Sequence, residues 1–285
     1  MNSRNYETID ISNKDNLGVK FLYKSVPGRM FLRILVRPAM SRPFGRLMER
    51  RVSASFVPRF VKRNKINMKE YKEVKYRSFN DFFIREVKEE FRPFSEDVNE
   101  VVAPCDGKLT AYPITADSAF HIKKSIYDMN SILQDKKLAE EFMGGICCIF
   151  RLTPDDYHRY CFIDDGEIIS YKKINGVLHT VRPISSDRYN VYAQNSREYA
   201  VLQTKNYGKI IQMEVGALFV GRISNTATSG EFKRGDEKGM FEFGGSTVVM
   251  LFQKDKVKID DVIYANTEQN KETIVKMGYK IGTKL

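Results

Sequence analysis

Phe241-Glu242-Phe243-Gly244-Gly245-Ser246-Thr247-Val248-Val249-Met250-Leu251-Phe252 joins a short aromatic segment to an apolar, β-branched run through a two-glycine break. The pattern predicts strand, sharp turn, strand, because glycine adopts φ > 0 without steric cost and allows close backbone approach. Two readings of the break stand side by side. In one, Gly244-Gly245-Ser246-Thr247 closes a β-hairpin and the serine is a turn residue. In the other, Ser246 attacks the carbonyl of its upstream neighbour, Gly245. The N→O acyl shift gives an ester, β-elimination cuts the chain to leave a dehydroalanine, and loss of ammonia leaves an N-terminal pyruvoyl group. Peptide resonance opposes that attack, so it requires strain, a base and an oxyanion site.

Outward from this stretch the chain reads as short strands broken by turn residues. Val101-Val102-Ala103-Pro104-Cys105-Asp106-Gly107-Lys108-Leu109-Thr110 is strand, turn, strand, and Asp106-Gly107 is a turn pair. Ser131 to Met143 reads as a helix ended by Gly144-Gly145. The run Ile146 to Leu152 is a buried strand that holds Cys147 and Cys148 and leads into a polar loop, Thr153-Pro154-Asp155-Asp156-Tyr157-His158-Arg159-Tyr160-Cys161. His158 is one of only three histidines in the chain. Glu167–Lys173, Gly176–Val181, Tyr199–Thr204, Lys209–Val215 and Phe219–Ile223 continue as β segments, with a last strand pair near the C-terminus. The fold class expected is α+β: a predominantly β catalytic domain of short, mostly antiparallel strands over residues 71–285, after an N-terminal helical segment over 1–70.

With 285 residues and 42% hydrophobic content, the chain has ample material for one large domain with an appendage. Four cysteines lack metal-ligand spacing, and without a signal peptide reduced thiols are expected. A net charge of +11 and a pI near 9.3 imply an anionic partner. Much of that charge lies between Lys20 and Arg51, where Lys20, Lys24, Arg29, Arg33, Arg37, Arg42, Arg46, Arg50 and Arg51 face a single acid, Glu49. Residues 1 to about 16 read as a frayed terminus. Arg29, Arg33 and Arg37 form a stripe on a helix that follows Pro27-Gly28 and stops at Pro38, and a second helix is expected from Ser41 to about Phe60. A third, with Phe82, Phe83 and Val87 on its apolar face, is expected to be capped by Ser78 or Asn80 and ended by Pro93. A basic helix with aromatic and leucine residues on its other face fits an anionic membrane surface. The alternative is a helix packed on the domain with solvated arginines. No nucleic-acid-binding motif accompanies the charge, and no apolar run is long enough to span a bilayer.

Taken together, these motifs closely resemble the phosphatidylserine decarboxylase family over roughly residues 20–270. Asn80-Asp81-Phe82-Phe83-Ile84-Arg85 is similar to its upstream helix motif, Pro104-Cys105-Asp106-Gly107 to its Pro-x-Asp-Gly turn, and Asp156-Tyr157-His158-Arg159 to its Asp-Tyr-His-Arg loop. Val215-Gly216-Ala217 with Val220-Gly221, then Lys233-Arg234-Gly235 to Gly239-Met240-Phe241, resemble the approach to the cleavage tripeptide. That tripeptide is Leu-Gly-Ser in many members and Gly244-Gly245-Ser246 here, a subgroup variant. The resemblance implies a pyruvoyl-dependent carboxy-lyase that converts phosphatidylserine to phosphatidylethanolamine and CO2. It implies cleavage between Gly245 and Ser246, with chains 1–245 and 246–285 staying together. Ser246 becomes the covalent pyruvoyl cofactor, which forms a Schiff base with the substrate amine. Asp106 is then the relay acid and His158 the proton donor in decarboxylation. The family's second histidine, the relay base, corresponds to Cys161, which leaves His158, a Cys161 thiolate or His179 as the base. No metal is implied. The expected location is the cytoplasmic face of the cell membrane, as a peripheral protein; a homodimer is left open. A non-catalytic basic membrane-binding protein and a pyruvoyl decarboxylase of a soluble amino acid are the competing readings.

Overall fold

The computed structural model describes residues 6–11, 17–117, 119–122, 125–186, 189–218, 222–243 and 246–285, and only the backbone of 42, 121, 125 and 186. Its centre is a nine-stranded sheet in the order Thr8–Asp10, Lys271–Val275, Gly107–Pro113, Ile146–Leu152, Ser246–Phe252, Lys209–Val215, Arg197–Thr204, Gly166–Ile174, Gly230–Phe232. Every neighbouring pair in it is antiparallel. The strand Ser246–Phe252 lies in the middle and all seven of its residues are buried. Successive side chains of a strand point to opposite faces. Val248, Met250 and Phe252 therefore join one apolar cluster, with Phe150 and Ile210, while Val249 and Leu251 join the other, with Ile149 and Ile211. Packing on both faces explains the continuous apolar run. The adjacent thiols of Cys147 and Cys148 divide between the same two clusters.

The glycine break does not close a hairpin. The strand before it, Glu237–Phe241, belongs to a separate three-stranded sheet with Arg159–Cys161 and Ile223–Asn225. The strand after it is flanked on both sides within the large sheet. The chain thus changes sheets between Phe241 and Ser246, and Gly244 and Gly245 lie outside the described residues. The N-terminus also departs from expectation, since Thr8–Asp10 is an edge strand paired with Lys271–Val275. The segment Gly176–Val181 forms only a bridge from Val177 to Asn195, and of Phe219–Ile223 the described part begins the strand Ile223–Asn225. The two C-terminal strands, Lys271–Val275 and Lys280–Lys284, lie in different sheets.

The basic segment is helical, as expected, with different boundaries. Helix α1 spans Leu17–Lys24 and α2 spans Val26–Leu35; Ser25 caps α2 by accepting from the Gly28 amide. Pro38 opens α3, Pro38–Glu49, because proline suits the first helical turn, and Ser41 lies inside that helix rather than capping it. A 3-10 turn, Arg51–Phe56, leads to α4, Val57–Asn64, which ends where Lys65 takes the left-handed conformation. Ser78 caps α5, Phe79–Phe83, by accepting from the Asp81 amide. This helix stops well short of Pro93, and Val87 pairs instead with Tyr71. The helix expected over 131–143 is two short ones, Met129–Leu133 and Lys136–Glu140, separated at the left-handed Gln134. Among the described residues no helix is long and apolar enough to cross a membrane.

Candidate active site

The start of Ser246–Phe252, the end of Ile146–Leu152 and the start of Gly107–Pro113 meet at one end of the large sheet. The register sets Ser246 against Leu152, and Arg151 against both Thr247 and Lys108. Asp106 precedes the third of these strands and the loop to His158 follows the second, so topology brings three distant sequence motifs to one place. The Ser246 side chain is fully buried, and its Oγ has no hydrogen-bond partner among the described residues. A buried hydroxyl left unpaired costs free energy, and such exceptions are few in a folded chain.

His158 is built more elaborately. The Asp156 carboxylate accepts from the Thr153 amide at 2.6 Å and from Lys108 Nζ at 2.6 and 2.7 Å, which folds the loop tightly at the strand end. The Asp156 carbonyl oxygen is then 2.9 Å from His158 Nδ1 and accepts from the Arg85 guanidinium at 3.1 Å. A carbonyl can only accept, so the His158 proton sits on Nδ1 and Nε2 carries a lone pair. That Nε2 is buried without a partner among the described residues. Burial, reinforced by the nearby Arg85 cation, lowers the His158 pKa to about 3, so the ring is neutral at ordinary pH. Phe83 lies against the imidazole with ring centroids 3.9 Å apart and also meets Phe243 at 5.3 Å. The Phe241 amide donates to the His158 carbonyl at 2.9 Å. The histidine is therefore tied to the segment that leads into Ser246, although its Nε2 and the serine Oγ are not hydrogen-bonded to each other.

Asp106 is also buried, and its carboxylate is fully engaged. Arg92 donates to it from Nε at 2.8 Å and from a terminal nitrogen at 2.6 Å, and the Met277 amide adds a third bond at 2.9 Å. Arg92 also reaches Glu70 at 2.9 Å. Cys161 donates its thiol to the Pro104 carbonyl at 3.2 Å, so position 161 lies against the turn that carries Asp106. Burial pushes the Cys161 thiol pKa up, which opposes a thiolate there. His179 sits elsewhere, stacked on Tyr189 with centroids 4.2 Å apart and with Nδ1 3.4 Å from the hydroxyl of Tyr23 in α1. Gly245 lies outside the described residues.

Several participants were not visible as such in the sequence. Arg85 stood inside a helix motif, but nothing local marked it as the cation that shares the Asp156 carbonyl with His158. Arg92, ahead of Pro93, carried no signal at all. Glu214 faces the same side of the sheet as Ser246, two positions along through Val248. It forms a fully buried ion pair with Lys238 at 2.7 Å, and burial raises its pKa.

A family model described as phosphatidylserine decarboxylase matches residues 79–283, which include every motif gathered at this sheet end. The chain belongs to the phosphatidylserine decarboxylase family. It is 48% identical over 265 residues to a phosphatidylserine decarboxylase proenzyme 2 of Clostridium acetobutylicum, covering 93% of this chain and 91% of that one. A phosphatidylserine decarboxylase proenzyme of Fusobacterium nucleatum is 40% identical over 270 residues, covering 93% and 90%. One of Clostridium novyi is 39% identical over 273 residues, covering 94% and 92%. These relatives of the phosphatidylserine decarboxylase family are named as proenzymes, so processing belongs to their description.

Proposed function

We infer that this chain is a self-processing, pyruvoyl-dependent phosphatidylserine decarboxylase that cleaves itself between Gly245 and Ser246. The observation that carries the reading is a pair of buried groups at one sheet end with no partner among the described residues, the Ser246 hydroxyl and the Nε2 lone pair of His158. Ser246 is the nucleophile, and His158 the base that takes its proton. Asp156, Lys108 and Arg85 are positioning residues, because they fix the tautomer that leaves Nε2 open. Asp106, the relay acid by resemblance, acts through the turn it locks to Arg92 and Met277. Cys161, beside that turn, stays a protonated thiol. A Gly-Gly-Ser site in place of Leu-Gly-Ser leaves the nucleophile unchanged.

A buried hydroxyl at the head of a strand and directly after two glycines fits conversion into a pyruvoyl group. That group supplies an electron sink for loss of the substrate carboxylate. His158 serves again in decarboxylation by returning a proton to the product carbon. Its neutral ring holds no proton to spare on Nε2, so Nε2 must first take one up from the bound substrate or from water before passing it to that carbon.

The N-terminal region, residues 1–70, docks the enzyme on the membrane that holds its lipid substrate. Leu17, Phe21, Met30, Phe31 and Ile34 are exposed on α1 and α2, alongside Arg29 and Arg33 of α2; Arg37, expected on the same helical stripe, lies instead beyond the end of α2, in extended conformation ahead of α3. Apolar side chains and cations on one surface suit the boundary of an anionic bilayer. The location proposed is peripheral, on the cytoplasmic face of the cell membrane.

Intact mass measurement tests the reading. Wild type should give two chains, 1–245 and 246–285, the smaller blocked at its N-terminus, and should release CO2 from phosphatidylserine vesicles. Ser246→Ala should remain one inactive chain; decarboxylation by that uncut protein would end the pyruvoyl mechanism. A two-chain protein acting on free amino acids but not on lipid would favour a soluble-substrate decarboxylase.

A further inference from the structure

A cavity of about 290 Å³ lies between α3 and the segment leading to Ser246, lined by Gly45, Arg46, Glu49, Asn80, Arg222 and Glu242, with Phe243 at its inner end. Two tertiary ties hold its inner wall. The Phe243 amide donates to Asn80 Oδ1 at 2.9 Å and the Glu242 amide to the Arg222 carbonyl at 3.0 Å. Phe44 of α3 packs on Phe243 with centroids 5.6 Å apart, so the helix wall is anchored to the site.

Two features point to a ligand. Arg222 approaches Glu242 only to 3.7 Å and keeps 70% of its side chain exposed, a loose pair whose guanidinium has donors to spare. Gly45 stands inside a helix, where alanine is intrinsically favoured, yet a Cβ there would meet no atom within 4 Å. No packing demand accounts for the glycine, and its smallness widens the cavity.

We propose that this cavity binds the phosphodiester of the substrate headgroup, with Arg46 and Arg222 on the phosphate and the serine end directed along Phe243 towards Ser246. Phe243 and Ser246 are three residues apart, at most about 11 Å of chain. The phosphate and amine of a serine phosphodiester are four bonds apart, a shorter span, so the amine meets Ser246 only where the cavity lies nearer to it than this upper bound. Glu242 is the loose partner of Arg222, and the phosphodiester replaces it there. This assignment rests on the decarboxylase reading.

The test uses the processed full-length enzyme and monomeric short-chain phosphatidylserine, so that membrane docking does not enter. Arg46→Gln, Arg222→Gln and Gly45→Leu should each raise KM, and the inhibition constant of glycerophosphoserine, by at least about tenfold. Cleavage into two chains should persist. Inorganic phosphate should compete far more weakly than glycerophosphoserine; equal competition would make this a general anion site and overturn the headgroup assignment. If Arg222→Gln is not processed, Gly45→Leu and Arg46→Gln decide the matter, and unchanged constants in both overturn it. A cleaved wild type that releases no CO2 from any phosphatidylserine would instead refute the decarboxylase reading.

Discussion

The Asp106 turn and the His158 loop meet at the same end of the sheet, and both place a titratable side chain out of water. Asp106 has both carboxylate oxygens bonded, by two nitrogens of Arg92 and the amide of Met277. His158 has one ring nitrogen held by a carbonyl and the other open. A buried carboxylate bonded at both oxygens suits a fastener, whereas an imidazole with a forced tautomer and a free lone pair suits the reagent proposed above. The contrast separates holding from reacting within one buried cluster, and it can be tested from either side.

The largest effect is expected at the open nitrogen. His158→Gln should slow cleavage at Ser246 by about 10²–10⁴-fold, the usual contribution of a positioned base. A time course of the two chains on gels measures it, and cleavage at the wild-type rate would remove His158 from self-processing. At the fastener the expected loss is stability. Arg92→Met leaves the Asp106 and Glu70 carboxylates without their main cation in a site where the arginine side chain is 2% exposed. Breaking a buried pair from one side costs about 3–5 kcal/mol, readable as a lower urea midpoint of the uncleaved Ser246→Ala protein.

Acid should act on the two sites in different ways. Because the folded His158 pKa is near 3 and that of an unfolded histidine about 6.5, the unfolded chain binds the extra proton first. The His158 contribution is therefore full above pH 6.5 and is lost progressively as pH falls towards 3. Within that window His158→Gln should flatten the decline of stability with acid. Arg85→Met, which removes the second cause of the low pKa, should move the acid limb of the cleavage rate to higher pH. An unmoved limb would show that the guanidinium does not tune the ring. The smallest effect is expected at Cys161→Ser. A hydroxyl can donate to the Pro104 carbonyl as the thiol does, so processing should stay within about threefold. A collapse of processing would restore the thiol to the reaction.

How much of this was legible in sequence follows from the range of the interactions. Short apolar runs identified strands such as Ile146–Leu152 and Ser246–Phe252, since burial on both faces leaves its mark residue by residue. Ser78 announced α5 because a cap is satisfied within three residues. The change of sheet between Phe241 and Ser246 was hidden, because Gly239 and Met240 pair with Tyr160 and Arg159, some eighty positions earlier. The edge strand Thr8–Asp10 was read as a frayed end for the same reason, its partner being at the other end of the chain. The site residues emerged as motif members, but the tautomer of His158 depends on Arg85 and Lys108, which only the fold brings to Asp156.

The position of the proposed cleavage site also bears on reversibility. Residues 246–285 contribute Ser246–Phe252 between two strands of the larger fragment, and Lys271–Val275 between two more, Thr8–Asp10 and Gly107–Pro113. Once the chain is cut, the smaller fragment remains interleaved with the larger, and separation requires breaking the sheet in its middle. Unfolding then becomes a dissociation of two molecules, so the melting temperature of the mature protein should rise with concentration while that of Ser246→Ala should not. Equal behaviour of the two on dilution would show that the fragments unfold without parting. The precursor can refold from denaturant as a single chain, but the mature enzyme must reassemble a shared sheet from two pieces, and its lifetime is set by how slowly they come apart.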